Sequence, residues 1–263
     1  MRIICPVKRV PDTAADKKIN PDDNTVNRDA SEPVLNANDE WAIEEAMRIK
    51  ERTPGTEVVA LCMGPDAAQS IVRKALSYGL DAAIQVTDPA LHGSDAVATA
   101  RVLAKALEGE TYDLIIMGNQ SSDARSMLVP AMLAEFLGLP ALTFCQKLDV
   151  DGTTFRAERQ TSNGYQVVEA QGPVVVSVVE AINEPRYPSF KGIMAAKSKP
   201  LTTKSLGDLG VDGGEVGLDG SRTQVIDVTP RPPKQAGEKV EDDGSGTVGA
   251  KALADFLAAK KFV

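Results

Sequence analysis

Three short stretches of this chain carry residue types suited to holding a small polar ligand: Pro6-Val7, Met63-Gly64-Pro65-Asp66 and Gly118-Asn119-Gln120-Ser121-Ser122-Asp123. Each follows an apolar, β-prone run, and the last two lead into helical patterns. Gly64 lets the backbone come close to a ligand. Helices starting near Asp66 and Asp123 aim free N–H groups in the same direction, which suits an anion. Gly118, Asn119 and Gln120 offer the hydrogen bonds that read an adenine or ribose edge. Taken singly, each stretch is the Gly, Asn and Asp that any strand-to-helix turn needs. Taken together at one sheet edge, they put a nucleotide site on equal terms with plain turns.

Other chemistry finds little footing. There is no G-x-x-x-x-G-K-[ST], no G-x-G-x-x-G, and no Ser-Gly-Gly-x-Asp after the first apolar run. The single histidine, His92, precedes a helix start and reads as a surface or capping residue. Cys5, Cys62 and Cys145 lie far apart in apolar segments, the pattern of buried free thiols in a reducing cytoplasm, and no Cys/His spacing fits a metal. Asp22 and Asp23 read as solvated turn residues. Glu44 and Glu45 fall on a helix's polar side, with Glu44 one turn before Arg48 as a surface pair. No nucleophile–base constellation emerges. A net charge of -8 argues against wholesale nucleic-acid binding. No apolar run approaches the ~18 residues of a membrane-spanning helix. Met1 to Val7 reads as a strand, not a signal peptide.

A second stretch stands out for recognition: Asn183-Glu-Pro-Arg-Tyr-Pro-Ser-Phe-Lys-Gly-Ile-Met-Ala-Ala-Lys-Ser-Lys199. Pro185 and Pro188 stop any regular element from running through it. Aromatics make up only 4% of the chain, yet Tyr187 and Phe190 sit here beside Arg186, Lys191, Lys197 and Lys199. Two readings stand side by side: aromatics folded back onto the core, or an aromatic anchor inside a basic rim.

The elements that must position these residues follow from periodicity. Strands are expected at 2–7, 57–63, 82–86 and 112–117. Helices are expected from the Asn36-Ala-Asn-Asp39 cluster to Arg52, after Pro65, from Ser94-Asp95 to Leu107, and from 124 to 137. Asn38 or a neighbour is the expected cap of the first helix, with Asp39 and Glu40 favouring its positive end. A hairpin is expected within 18–29, around Asn20-Pro-Asp-Asp-Asn24. Beyond Pro140, strands joined at Asp151-Gly152 and Asn163-Gly164 are antiparallel hairpins, and Val174–Val179 closes the sheet. The fold class is α/β: a doubly wound, mostly parallel, Rossmann-like sheet with antiparallel additions and an extended C-terminal arm. From about Pro200 the chain is rich in Gly, Pro and Asp, including Pro230-Arg-Pro-Pro233, and buries little of itself. A helix over 248–261 ends it, with Leu253, Phe256 and Leu257 on one face.

Several of these residues resemble the β-subunit family of electron transfer flavoproteins. The resemblance rests on Val7-Lys-Arg-Val-Pro-Asp12, the Glu44-Glu45-Ala46 helix, Gly64-Pro65, Asn183 to Lys197, Gly207 to Val211 and Ala236 to Val240. The family signature runs from Ala157-Glu-Arg159 to Pro173-Val-Val-Val-Ser177, with Ser162 and Asn163 departing from its acidic pair. The resemblance implies a cytoplasmic electron carrier in three parts: a nucleotide-binding domain over 1–182, a recognition loop over 183–199, and an arm over 200–263 wrapping an α subunit. It implies FAD held mainly by that α subunit and a structural AMP here, contacted by Pro6, Asn36, Met63, Gly64, Gly118, Asn119, Gln120, Asp123 and the loop Ser126, Met127, Leu128 and Val129. That loop departs from the family's Gly-rich pattern, with Arg125 and Ser126 offering charge and a hydroxyl instead. Thr13, Asn38 and Trp41 fall near the flavin ring. Tyr187, Phe190, Ile193, Met194 and Lys197 fall on the surface that docks acyl-CoA and related dehydrogenases. Phe190 is the anchor and Tyr187 packs inward to shape the loop. Electrons would pass on to a membrane quinone oxidoreductase. Two alternatives stay open: a bifurcating relative with a second FAD in the β site that oxidises NADH, and a stand-alone nucleotide-binding regulatory protein.

Overall fold

Apolar residues that alternate along each strand face two ways, and both faces are covered. Ile3 and Cys5 pack under one set of helices while Ile4, between them, packs under the other. The computed structural model describes residues 1–229, 232, 236–237 and 239–263. The main sheet has nine strands: β1 (Arg2–Pro6), β2 (Glu57–Met63), β3 (Ala82–Val86), β4 (Leu114–Gly118), β5 (Ala141–Asp151), β6 (Thr154–Thr161), β7 (Gly164–Gln171), β8 (Val174–Val178) and β9 (Leu201–Lys204). Their spatial order is β7-β6-β5-β8-β4-β1-β2-β3-β9. Pairing is parallel from β5 through to β9, and antiparallel in β5-β6-β7. Helices α1 (Ala37–Arg52) and α2 (Gln69–Ser77) cover one face; α3 (Ala96–Ala106) and α4 (Val129–Leu137) cover the other.

The chain leaves β1, builds β2 and β3 on one side, then crosses back to place β4 on the other. Strand order therefore reverses between β1 and β4, and their carboxyl ends at Pro6 and Gly118 lie side by side. That is where an open parallel sheet leaves a crevice.

Two expectations are adjusted. The helix expected from 124 begins at Val129, because Pro130 suits a first helical turn and the residues before it take left-handed turns. Between β1 and α1, Arg9–Pro11 lies against Pro33–Leu35, and the expected hairpin is present, joining Lys18–Ile19 to Val26–Asn27. The residues after Pro200 are not all solvated. β9 extends the sheet edge, and Leu206, Val211 and Val216 are buried in the core beneath α3. Residues Met1–Ile226 thus form one compact unit. Asp227–Val263 forms a second, within which α6 (Thr247–Ala259) has no buried residue and leaves Val248, Leu253 and Phe256 exposed. The run Pro230 to Pro233 contains residues outside the described ones.

Helix α5 (Phe190–Ala196) packs on α2, and only glycine fits at the contact. A Cβ on Gly192 would stand 2.3 Å from the Ser77 carbonyl oxygen. On the antiparallel side, Phe155 is fully buried and seals the sheet against Gly172. Phe155→Ala should cost about 3–5 kcal/mol, read as a clear fall in the thermal unfolding midpoint.

Candidate functional site at the strand-order reversal

Gly118 ends β4 under the first turn of α1. A Cβ there would lie 2.6 Å from the Asn38 carbonyl carbon and 2.7 Å from Asp39 Oδ1. The absent side chain is what lets helix and strand meet. Asn36, 1% exposed, fastens the contact. Its Nδ2 donates to Asp39 Oδ1 (2.8 Å) and to the Gln120 carbonyl (2.9 Å), and its Oδ1 accepts from Ser122 N (3.1 Å). Asp39 Oδ2 accepts from Lys8 N at 2.8 Å. Four hydrogen bonds thus join the chain after β1, the start of α1 and the loop after β4. Asn36, not Asn38, occupies the cap position, and its side chain bonds Asp39 and the loop rather than the helix's free N–H groups. Asp39 is no solvated partner of the helix dipole. It is buried, and burial pushes its carboxyl up to about 7 against the pull of the Asn36 amide and the Lys8 N–H.

The loop after β4 is strapped down by cations from residues 8–28. Asp123 receives Lys8 Nζ at 2.9 Å and Arg28 Nε at 2.8 Å, and its own side chain is wholly covered. Burial alone would raise its carboxyl; the two cations outweigh burial and hold it well below the usual carboxylate range. Lys8 Nζ also reaches Ser121 Oγ (3.2 Å), and Lys17 Nζ reaches the Ser122 carbonyl (2.6 Å). Asn119 is buried, its Oδ1 accepting from Ser177 Oγ of β8. Two oxygens of this loop, Gln120 Oε1 and Ser122 Oγ, are buried with no partner among the described residues. Buried polar atoms rarely stay unpaired, so a pair of them at a strand-order reversal suits a ligand that carries hydrogen-bonding groups.

Residues 124–128 are exposed. Arg125 and Met127 take φ of 50° and 57°, conformations expected of glycine, and Leu128 returns to the right-handed region. A left-handed residue followed by a right-handed one turns successive N–H groups toward one side, and α4 begins directly after. Backbone donors are therefore gathered here although the glycines are missing. Gly64 has a different reason: a Cβ would press on Ala68 at 3.1 Å in the tight turn Asp66–Ala68. Pro6 and Met63 end neighbouring strands at the same edge. Thr13 is exposed, Asn38 covers Gly118, and Trp41 is half-buried against the core.

The stretch Asn183–Lys199 is fixed at both ends. Asn183 Nδ2 donates to the Trp41 carbonyl (3.0 Å) and to Glu45 Oε2 (3.2 Å). Arg186 places Nε on Glu44 Oε2 (2.7 Å) and Nη2 on Glu44 Oε1 (3.1 Å), and its other edge meets Glu51. Arg73 Nη1 donates to the carbonyls of Ala196 (2.9 Å) and Lys199 (2.7 Å). Between these ties Tyr187 is 95% exposed and Phe190 79%, flanked by exposed Ile193 and Met194. Tyr187 does not pack inward; Pro185 and Pro188 hold it out while Arg186 beside it turns down. Arg186 also leaves the basic rim, since its guanidinium is consumed by α1. Glu44 and Glu45 are not surface residues but buried ones. The signal that would have found them is position: both border the apolar residues Ile43, Ala46 and Met47 on α1. His92, 56% exposed at its side chain, meets Asp23 at 2.6 Å, so that carboxylate is paired rather than simply solvated.

Comparison with known proteins settles the lineage. The electron transfer flavoprotein domain matches residues 23–209. The electron transfer flavoprotein subunit beta of Mycobacterium tuberculosis is 44% identical over 266 aligned positions covering 99% of each chain. The chain belongs to the electron transfer flavoprotein family. A subunit beta from Thermoanaerobacterium thermosaccharolyticum is 37% identical, covering 90% of this chain and 91% of its own. The caffeyl-CoA reductase-Etf complex subunit CarD of Acetobacterium woodii is 35% identical, covering 91% and 92%. Among the described residues no helix is long and apolar enough to cross a membrane.

The buried Asp39 carboxyl makes stability depend on pH. A carboxyl raised on folding binds its proton more tightly in the native state, so its stabilising effect is full below about pH 4 and declines as pH rises toward about 7. Asp39→Asn removes that dependence. The stability difference, wild type minus variant, should shrink steadily between those pH values in denaturant titrations, and a constant difference would contradict the assignment.

Proposed function

We propose that this chain is the β subunit of a heterodimeric electron transfer flavoprotein, holding a structural AMP at the strand-order reversal and presenting Phe190 to electron-donating dehydrogenases. The observation that carries the AMP reading is the unpaired, buried Gln120 Oε1 and Ser122 Oγ, set beside Gly118 and the gathered N–H groups of residues 127–129. These suit a nucleoside edge and a phosphate in turn. Ser126, Met127, Leu128 and Val129 would hold the phosphate chiefly by backbone, with Arg125 adding charge. Asn36 and Asp123 have their side-chain groups committed to protein partners, so they serve the site by holding its loop. Pro6, Met63 and Gly64 shape the edge.

FAD, held mainly by the α subunit, supplies the redox chemistry; Thr13, Asn38 and Trp41 lie on the side of this chain assigned to its ring. The exposed stripe of α6 suits a partner subunit, which is the role given to the arm. Docking by a small exposed apolar cluster inside Lys191 and Lys197 favours brief contact, as a carrier between acyl-CoA-type dehydrogenases and a membrane quinone oxidoreductase requires. The subunit itself binds and positions, and turns over no substrate of its own. A second reading stands beside it, in which a second FAD occupies the β site and NADH is the donor; the relative CarD is a subunit of a caffeyl-CoA reductase-Etf complex.

Denaturing the purified heterodimer and identifying what is released separates the two. One AMP and one FAD are expected; two flavins and no AMP would replace the first reading with the second. Phe190→Ala should slow electron transfer from a dehydrogenase at sub-saturating concentration roughly thirtyfold, the loss of one ~2 kcal/mol anchor, with AMP and FAD content unchanged. An unaltered rate would rule out Phe190 as the anchor.

A further inference from the structure

Burying two neighbouring carboxylates on one helix is costly unless each is matched. Glu44 and Glu45 are 4% and 5% exposed. Glu44 accepts from Arg48 Nε at 2.9 Å as well as from three donors of Arg186, including its backbone N at 3.2 Å. Glu51 closes on the far edge of the same guanidinium. A guanidinium held between two carboxylates is fixed in orientation as well as position. Three residues further on, Ser189 caps α5 by accepting from Gly192 N at 3.0 Å. The segment that projects, Tyr187 to Phe190, is thus short and fastened on both sides.

We propose that Glu44, Glu51 and Asn183 are positioning residues for docking: by gripping Arg186 and the base of the loop against α1, they hold the aromatic tip in its presenting conformation before any partner arrives. The inference rests on the reading of Phe190 as the docking anchor. Its physical basis is entropy. A loose loop must be ordered when it binds, and that ordering subtracts from affinity. Here the ordering is completed at folding, by ion pairs that face away from the partner. Arg186 therefore contributes to docking without touching what docks.

The test uses the chain in complex with its α subunit. Glu51→Gln removes one carboxylate at a partly exposed position and leaves the buried pair intact. Arg186→Lys keeps the charge and loses the fork. Both should speed amide exchange at 186–190. Both should also raise the KM of an acyl-CoA dehydrogenase for the carrier roughly tenfold, the scale of one charge-assisted hydrogen bond, while kcat at saturating carrier and nucleotide content hold. Phe190→Ala is measured alongside. If Phe190→Ala leaves KM unchanged, the docking reading itself fails. If Phe190→Ala raises KM but both grip variants leave exchange or KM at wild-type values, the positioning inference alone is overturned. A fall in kcat with unchanged KM in the grip variants also overturns it.

Discussion

The contact of Gly118 with the first turn of α1 is the constraint from which the rest of the site follows. Strand β4 can end beneath a helix only because nothing projects from its last residue. That approach puts Asn36 within reach of the Gln120 carbonyl and Ser122 N–H, and Asp39 within reach of Lys8 N. With those bonds made, the loop after β4 has one path, and the cations Lys8, Lys17 and Arg28 have one place to land. A methyl group at position 118 would displace backbone rather than a pliable side-chain end, so the whole arrangement has little room to adjust.

The same helix links two regions that are far apart in sequence. Helix α1 has 16 residues, about 24 Å at 1.5 Å per residue. Its start is seated at the strand-order reversal; its later turns carry Glu44, Glu45 and Glu51, which receive the 183–186 segment. The strand-order reversal and the exposed aromatic tip are therefore referenced to one rigid rod. Whatever position the tip takes relative to that edge is set by the packing of α1 on β1, β4 and β8.

Much of this architecture was legible in the residues. The alternation of apolar runs with helical stripes placed the parallel strands nearly to the residue. Asp-Gly and Asn-Gly placed both hairpins, because those pairs tolerate left-handed backbone at no side-chain cost. Local signals failed where long-range contacts decided. Glu44 looks like a surface residue until Arg186 arrives from 142 positions away. Asp39 looks like a helix-dipole partner until Lys8 N and Asn36 close over it. The strand Leu201–Lys204 has polar Thr202 and Thr203 at its centre and reads as loop until the free edge of β3 captures it. Tyr187 looked inward-facing because aromatics are usually covered, and nothing local to the loop says that its neighbour Arg186 is the residue that turns down. The left-handed turns at Arg125 and Met127 gave no signal either, since the sequence there holds no glycine.

Arg186 also shapes the molecule's electric field. Its charge is spent internally, against Glu44 and Glu51, and Lys199 is turned back onto the Leu76 carbonyl at 3.1 Å. What remains at the aromatic tip is a pair of exposed lysines, Lys191 and Lys197, neither of which meets a carboxylate among the described residues. They stand on a chain with a net charge of -8. The net charge disfavours anionic surfaces at long range, while Lys191 and Lys197 add local positive charge that acts within about a Debye length of the tip, about 8 Å in physiological salt. Two lysines beside an aromatic tip on an otherwise acidic chain favour an approach that brings an acidic surface to the tip over one that meets the chain elsewhere.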